Sequence, residues 1–116
     1  MTEIGRATRP PQRIAAVTRL LPEKEAVYRE LHAAVWPGVL EALERANIRN
    51  YSIFVRDCYL FSYLEYWGED YQADYALMAA EEVFQEWWKL TDPCQVTLPT
   101  AGKERWAPAE EVFHLD

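Results

Sequence analysis

The chain has only two cysteines, four glycines and no long hydrophobic run among its 116 residues. Cys58 and Cys94 stand far apart with no CxxC motif and no neighbouring histidine, so free thiols are expected rather than a disulfide or a zinc site. The apolar stretches are too short to span a membrane, and the N-terminus lacks the hydrophobic core of a signal peptide. These absences predict a cytoplasmic location with no membrane partner.

Positive charge is also scarce and scattered along the chain. Nineteen acidic residues against 12 basic ones give a formal net charge of −7. Nucleic acid is therefore not an expected partner, because a phosphate backbone is bound by clustered basic residues. No HExxH, GxSxG or glycine-rich phosphate loop occurs. Metal, nucleophilic-serine and nucleotide chemistry thus have no motif in this sequence.

The chain is instead rich in aromatic side chains, which make up 14% of it and include five Trp and seven Tyr. This content is far from the signature of a disordered chain. The length is that of one domain, which buries roughly two-thirds of the surface of its unfolded chain. Residues 1–12 have no sustained pattern and are interpreted as a flexible leader, and residues 13–116 as a single domain.

Hydrophobic periodicity predicts six elements in the order β-α-β-β-α-β. Pro22 suits the first position of a helix, and Asn47 suits its C-cap. The predicted elements are a strand over 13–20, a long helix from Pro22 to about Ala46 that is interrupted at Pro37, strands over 50–57 and 59–67 joined by a tight turn, a second long helix over 69–90, a loop over 91–103 and a last strand over 110–116.

This order is the α+β, ferredoxin-like pattern, with a four-stranded antiparallel sheet and both helices on one face. The other face of such a sheet is left bare. Because the strands carry large apolar or aromatic residues on both sides, the bare face would expose more apolar surface than a soluble monomer normally tolerates. A homodimer of the dimeric α/β-barrel type is therefore expected, formed through that face or through exchanged edge segments.

The first predicted helix contains an unusual stretch, VYRELHAAVWPGVLEAL over residues 27–43. Four-residue spacing places Tyr28, His32 and Trp36 on one stripe of the helix. A core helix needs neither the imidazole nor Pro37, which either bends a helix or starts a new one. His32 is thus either a partly buried histidine bonded to a backbone carbonyl, or a group beside a pocket that opens at the bend.

Three further aromatic residues are candidates for the same site. Trp87 and Trp88 are adjacent and point about 100° apart on a helix, so at most one is central to the core and the other borders a cleft or solvent. Tyr51 opens the second strand on a face that could meet the helices, where its hydroxyl needs a partner. The structural alternatives are a core Trp beside a surface Trp, and a core Tyr whose hydroxyl reaches water. His114, near the chain end, is interpreted as structural.

The segments YRELHAAVWPGVLEAL, NYSIF, EWW and EEVFHLD, in this order, closely resemble the L-rhamnose mutarotase family over about residues 13–116. The resemblance implies a ferredoxin-like dimer that interconverts the α and β anomers of L-rhamnose without a metal or organic cofactor. Residues 91–109 depart from the Asn-Pro-Asp-rich loop of some members. By position, His32 matches the family's catalytic proton donor, and Tyr28, Tyr51, Trp87 and Trp88 match its sugar-contacting residues.

The implied chemistry suits these residue types. Opening a pyranose ring needs one proton at the ring oxygen while another leaves the anomeric hydroxyl, and imidazoles as a class titrate near pH 6.5 and serve either side of that exchange. Two other interpretations stay open. One is a small monooxygenase or haem-handling enzyme of the same fold, with His32 as axial ligand or base; the other is a non-catalytic sugar-binding module in which His32 only packs.

Overall fold

The computed structural model describes residues 11–116, which form a sheet, four α-helices and two 3₁₀ turns. Most of the predicted leader lies outside the described residues, but Gln12 already belongs to the first strand. The elements are β1 (Gln12–Leu20), α1 (Glu25–Ala33), α2 (Pro37–Arg45), β2 (Ile48–Arg56), β3 (Tyr59–Tyr66), α3 (Tyr71–Ala79), α4 (Glu82–Thr91), β4 (Gln95–Val96) and β5 (Ala107–Ala109), with 3₁₀ turns at Pro22–Lys24 and Asp92–Cys94.

The sheet confirms the ferredoxin-like class. Its strands pair antiparallel in the order β2-β3-β1-β4. The short strand β5 also pairs with β1, on the same edge as β4 but nearer the start of β1. The predicted tight turn joins β2 to β3 through Asp57 and Cys58, whose φ angles of 52° and 64° give the left-handed pair that a two-residue hairpin requires. The main core lies between one sheet face and the helices α2, α3 and α4, with Ile48, Leu64 and Tyr66 contributed by the strands.

The first predicted helix is two helices. After α1 ends at Ala33, Ala34 leaves helical geometry with φ −144° and ψ 61°. Trp36 is extended, as the residue before a proline prefers, and Pro37 is the first residue of α2. Pro37 therefore starts a new helix rather than bending a continuous one, since a first helical position needs no N–H donor.

The second predicted helix is also divided, between α3 and α4. Glu81 is extended, with φ −70° and ψ 139°. Its carboxylate pairs with Arg45 at the end of α2, and the Gln85 amide donates to the carbonyl of Ala79. Helix propensities along this stretch do not predict the break, and one of the two contacts made across it comes from a distant part of the chain.

The predicted last strand over 110–116 is wrong, as is the assignment of 91–103 to loop alone, since β4 lies within it. The strand that pairs with β1 near the C-terminus is Ala107–Ala109, opposite Ala15–Val17. Ala15 pairs with Ala109, so the same register would place Gln12, the first residue of β1, opposite residue 112. Arg13 still contacts Glu111 through two hydrogen bonds, at 2.8 and 2.9 Å. Beyond residue 112 no residue of β1 is left to pair with, and the apolar side chains after Glu111 lie exposed in this chain. They are Val112, Phe113 and Leu115.

A buried tyrosine joins three parts of the fold. The Tyr66 hydroxyl donates to Asp74 Oδ2 at 2.5 Å and accepts from the backbone N–H of Asp70 at 2.8 Å. Asn47, in the turn between α2 and β2, donates to the same carboxylate oxygen at 3.1 Å. The Tyr66 bond, followed by the Asn47 bond, lowers the pKa of Asp74. This network connects β3 to the start of α3 and to the preceding turn.

Replacing Tyr66 with Phe should lower the free energy of unfolding at neutral pH by about 0.5–1.5 kcal/mol, because the buried hydroxyl no longer bonds to Asp74 and to the backbone N–H of Asp70. A carboxyl whose pKa is lowered on folding adds stability above its unfolded pKa and loses it as pH falls through its folded pKa. The difference between wild type and Tyr66→Phe should therefore shrink below about pH 4. Urea unfolding across pH measures it.

The matched control is Tyr63→Phe, which removes a single hydroxyl bond, to Glu65 two residues along the same strand. It should leave the free energy of unfolding nearly unchanged at neutral pH. An equal loss for Tyr66→Phe at every pH would contradict the role assigned to Asp74.

Candidate active site

Two of the predicted site residues stack on α1. Tyr28 and His32 are one helical turn apart, and their ring centroids lie 4.2 Å from each other with an interplanar angle of 30°. Tyr28 is buried, whereas His32 is partly exposed. The four-residue spacing thus places the imidazole on the face of a buried phenol, with one side of it open.

Trp36 reaches the same site by a different route from the predicted stripe. It lies in the break after α1, and its ring meets the ring of Trp87 on α4 at 5.1 Å and 70°. His32 meets Trp87 at 5.4 Å and 69°. Both contacts are edge-to-face, the geometry that the ring quadrupoles favour. Trp87 is therefore held between the last turn of α1 and the residue that precedes α2.

One hydrogen bond determines the proton arrangement of His32. Its Nδ1 lies 2.9 Å from the backbone carbonyl oxygen of Tyr28. A carbonyl oxygen only accepts hydrogen bonds, so Nδ1 carries the proton and donates it. In the neutral imidazole Nε2 then keeps its lone pair. The backbone bond expected of a structural histidine is present, and it leaves Nε2 as the atom that can take up a proton.

Four tyrosine hydroxyls share one region of the molecule. Tyr51 lies on the edge strand β2 and is 42% exposed as a whole residue, while its hydroxyl end is desolvated. This desolvation raises the pKa of Tyr51 well above its usual range, and Tyr28, Tyr75 and Tyr71 raise it further. Burial also raises the pKa of Tyr71 to about 12. Neutral phenols that can donate and accept hydrogen bonds therefore persist here at physiological pH.

Tyr28 has a buried partner of its own. Burial raises its pKa to about 12, and a hydrogen bond from Gln95 opposes that rise. The Gln95 Nε2 atom lies 3.4 Å from the Tyr28 hydroxyl oxygen. Gln95 is the first residue of β4, so the phenol of Tyr28 on α1 meets a residue from a short strand at the edge of the sheet opposite β2.

The two adjacent tryptophans differ as predicted. Trp87 is buried in the main core, and Trp88 is half-buried. The ring of Trp88 lies 6.4 Å from that of Tyr75 and 5.1 Å from that of Phe84. Trp88 thus joins the tyrosine region through Tyr75, whereas Trp87 contacts His32 directly.

The sequence prediction left out several residues of this region. Tyr71 and Tyr75 were assigned only to the apolar positions of a helix, although their four-residue spacing and proximity in sequence to the Trp pair could have indicated a shared face. Their rings lie 5.6 Å apart. Gln95 had no signal, because it stands in a segment without periodicity. We define the aromatic site by its predicted and additional members: Tyr28, His32, Trp36, Tyr51, Tyr71, Tyr75, Trp87, Trp88 and Gln95.

An open groove of about 360 Å³ adjoins this site between α2 and the start of β2. It shares only Tyr51 with the aromatic site, and its other walls include Leu40, Leu43 and Arg49. It is a neighbouring feature, separate from the rings around His32.

Several other features bear on the sequence predictions. None of the helices within residues 11–116 is long and apolar enough to cross a membrane. In the same part of the chain, no three His, Cys, Asp or Glu side chains converge in the way that metal ligands do. Cys58 and Cys94 are free thiols, as predicted.

Known proteins share this sequence and fold. The family model described as L-rhamnose mutarotase matches residues 13–115. The L-rhamnose mutarotase of Listeria monocytogenes serotype 4b is 35% identical over 106 residues, covering 90% of this chain and 98% of that protein. The crystal structure of L-rhamnose mutarotase FA22100 from Formosa agariphila superposes with a TM-score of 0.72 at 24% identity, covering 90% of this chain and 99% of that one.

The fold is also shared by an enzyme of different chemistry. Tetracenomycin F2 cyclase from Streptomyces glaucescens, a type-II polyketide cyclase, superposes with a TM-score of 0.63 at 15% identity, covering 90% of this chain and 97% of that one. Fold likeness alone therefore does not indicate the reaction, and the sequence match over nearly the whole chain carries that information.

Proposed function

This chain belongs to the L-rhamnose mutarotase family, and on that premise we propose how its aromatic site carries out the reaction. The activity is that of an isomerase that interconverts the α and β anomers of L-rhamnose. Family membership favours it over the monooxygenase and the binding-only interpretations of the sequence. The residue roles, the binding mode and the assembly given below are the proposal.

His32 is the proposed general acid and base. Ring opening removes the proton of the anomeric hydroxyl, turns that C–O bond into a carbonyl and breaks the bond from the anomeric carbon to the ring oxygen, which gains a proton. Reclosure on the other carbonyl face reverses these transfers. In the neutral form of His32, Nε2 suits the first transfer, and the protonated ring suits the second. The supporting observation is the bond from Nδ1 to the Tyr28 carbonyl, which leaves Nε2 as the acceptor.

The aromatic residues are the proposed sugar-binding surface. Trp87 and Trp88 suit the apolar C–H side of the pyranose and the methyl group of a 6-deoxy sugar. Tyr28 and Tyr51 suit its hydroxyl groups, since burial raises the pKa of both phenols and keeps them neutral. A neutral sugar also needs no cluster of basic side chains, in agreement with the scattered bases of the sequence.

We also propose that the enzyme is a homodimer, built on the sheet face without helices. Phe54, which is 61% exposed, pairs across the strands with Phe61, and Phe61 pairs with Val17. This line of apolar side chains crosses three strands, and Tyr59 extends it, with its ring 6.4 Å from that of Phe61. The exposed apolar residues after Glu111 add further surface of the kind that a partner covers. The cytoplasmic location stays a prediction from sequence.

The role of His32 is tested by NMR exchange spectroscopy between the α and β signals of L-rhamnose at equilibrium. In His32→Asn, the shorter amide can still donate to the Tyr28 carbonyl, but it offers no base. Its anomer exchange should be slower than that of wild type by about 10²- to 10⁴-fold.

His114→Asn is the matched control, because within residues 11–116 that imidazole bonds to Asp116 at the exposed chain end, away from the aromatic site. It should exchange the anomers as fast as wild type does. An uncatalysed rate with wild type would overturn the activity, and a His32→Asn variant as fast as wild type would overturn the mechanism.

The assembly is tested by sedimentation velocity. Wild type should sediment as a dimer and Phe54→Glu as a folded monomer, because a charge on the bare sheet face opposes its burial. Leu77→Glu serves as the control, since Leu77 is 70% exposed on α3, outside the bare sheet face, and this variant should stay dimeric. A monomeric wild type, or a dimeric Phe54→Glu, would contradict this interface.

A further inference from the structure

Gln95 lies behind Tyr28 as a buried polar side chain with one amide atom bonded and the other not. It is only 9% exposed, and its Nε2 lies 3.4 Å from the Tyr28 hydroxyl oxygen. Its Oε1 is buried and has no hydrogen-bond partner among the described residues. Leaving a carbonyl oxygen unsatisfied in a protein interior costs stability, so such a group calls for an explanation.

The backbone holds Gln95 firmly in this place. Gln95 pairs with Leu20 at the end of β1, and the preceding residue, Cys94, accepts a backbone hydrogen bond from Leu21 at 2.8 Å. Leu20 and Cys94 belong to the same buried cluster as Tyr28. An apolar side chain of the same length would suit this environment without leaving an unpaired oxygen.

The amide determines the direction of the hydrogen bond at Tyr28. The Nε2 group of glutamine has hydrogens and only donates, so the Tyr28 oxygen accepts from it. A phenol that accepts one hydrogen bond still has its own hydrogen to donate. With its acceptor side occupied from β4, Tyr28 has its O–H proton available to donate, in the plane of its ring, to another oxygen.

We propose that Gln95 is a positioning residue that makes the Tyr28 hydroxyl a hydrogen-bond donor toward an oxygen of the bound sugar. This inference rests on the proposed function, in which Tyr28 contacts the sugar beside His32. It extends that function to a residue of β4 that acts on the substrate through Tyr28. Gln95 therefore influences the reaction without touching the reacting atoms.

Two substitutions separate the direction of the bond from the packing of the side chain. Gln95→Met keeps the length and removes the amide, so the Tyr28 hydroxyl rotates freely; kcat/KM for anomer exchange should fall about tenfold, the effect of one lost hydrogen bond. Gln95→Glu has no N–H to donate, and at a pH where its carboxyl is ionised it only accepts, so it would bind the Tyr28 proton itself. The Glu variant should therefore be slower than the Met variant.

A double-mutant cycle with Tyr28→Phe distinguishes a positioning role of Gln95 from a purely structural one. Without a hydroxyl at position 28, adding Gln95→Met should have no further effect on kcat/KM, because there is no proton left to orient. Thermal stability of Gln95→Met should equal or exceed that of wild type. The control is Gln85→Met, an exposed glutamine on α4, which should exchange the anomers at the wild-type rate.

The result expected is a loss in Gln95→Met, a greater loss in Gln95→Glu and no added loss in the Tyr28→Phe background. Wild-type kcat/KM in Gln95→Met, or the same fractional loss with and without the Tyr28 hydroxyl, would overturn the inference. Either outcome would leave the proposed function intact as long as His32→Asn is slow. A wild type that does not catalyse the exchange would instead refute the proposed function itself.

Discussion

The ring of Trp87 is the contact on which the arrangement of the site depends. His32 meets it from the last turn of α1 and Trp36 from the break before α2, both edge-to-face. In a continuous helix through residues 34–36, His32 and Trp36 would lie one above the other on the same face, one turn apart. The break instead brings both rings onto α4, and burial of aromatic surface there offsets the helical hydrogen bonds that the break gives up.

The same geometry gives the histidine its chemical character. Because α1 is regular up to His32, the carbonyl of Tyr28 lies within reach of Nδ1, and the side chain of Tyr28 lies under the imidazole. One turn of helix thus supplies both a proton acceptor for Nδ1 and a stacking surface. The cost is a buried phenol whose oxygen needs a partner, and Gln95 of β4 provides it. The mechanism proposed for this enzyme accordingly depends on residues from a helix, a helix break and a distant strand.

The sequence predicted what local periodicity encodes. The ferredoxin-like order, the hairpin turn at Asp57 and Cys58, and the unequal burial of Trp87 and Trp88 all follow from spacing and from turn chemistry. The break at Glu81 could not be predicted from helix propensity, and one of its contacts comes from Arg45 on another helix. At the C-terminus, apolar and polar residues alternate as in a strand, yet these residues are exposed in this chain and form no strand. Such alternation indicates an extended segment with two faces, but it does not identify the surface that covers the apolar one.

The site could be predicted only in part for the same reason. His32, Tyr28 and the tryptophan pair stand in motifs whose spacing is visible, and the family resemblance identifies them by position. Gln95 belongs to no pattern, and only the pairing of β4 with the end of β1 brings it to Tyr28. Residues that act through another side chain leave no periodic trace, so the tertiary structure is needed to find them.

The central claim is that neutral His32 is held as the Nδ1–H tautomer, with Nε2 available to the sugar. Long-range ¹H–¹⁵N correlation spectra of protein labelled at its two histidines, recorded with and without L-rhamnose, test it most directly. The account predicts a protonated-type Nδ1 signal and an unprotonated-type Nε2 signal for the neutral form of His32, with the Nε2 signal moving on sugar addition while the His114 signals do not change. An Nε2–H tautomer, or His32 signals that L-rhamnose leaves in place, would contradict it.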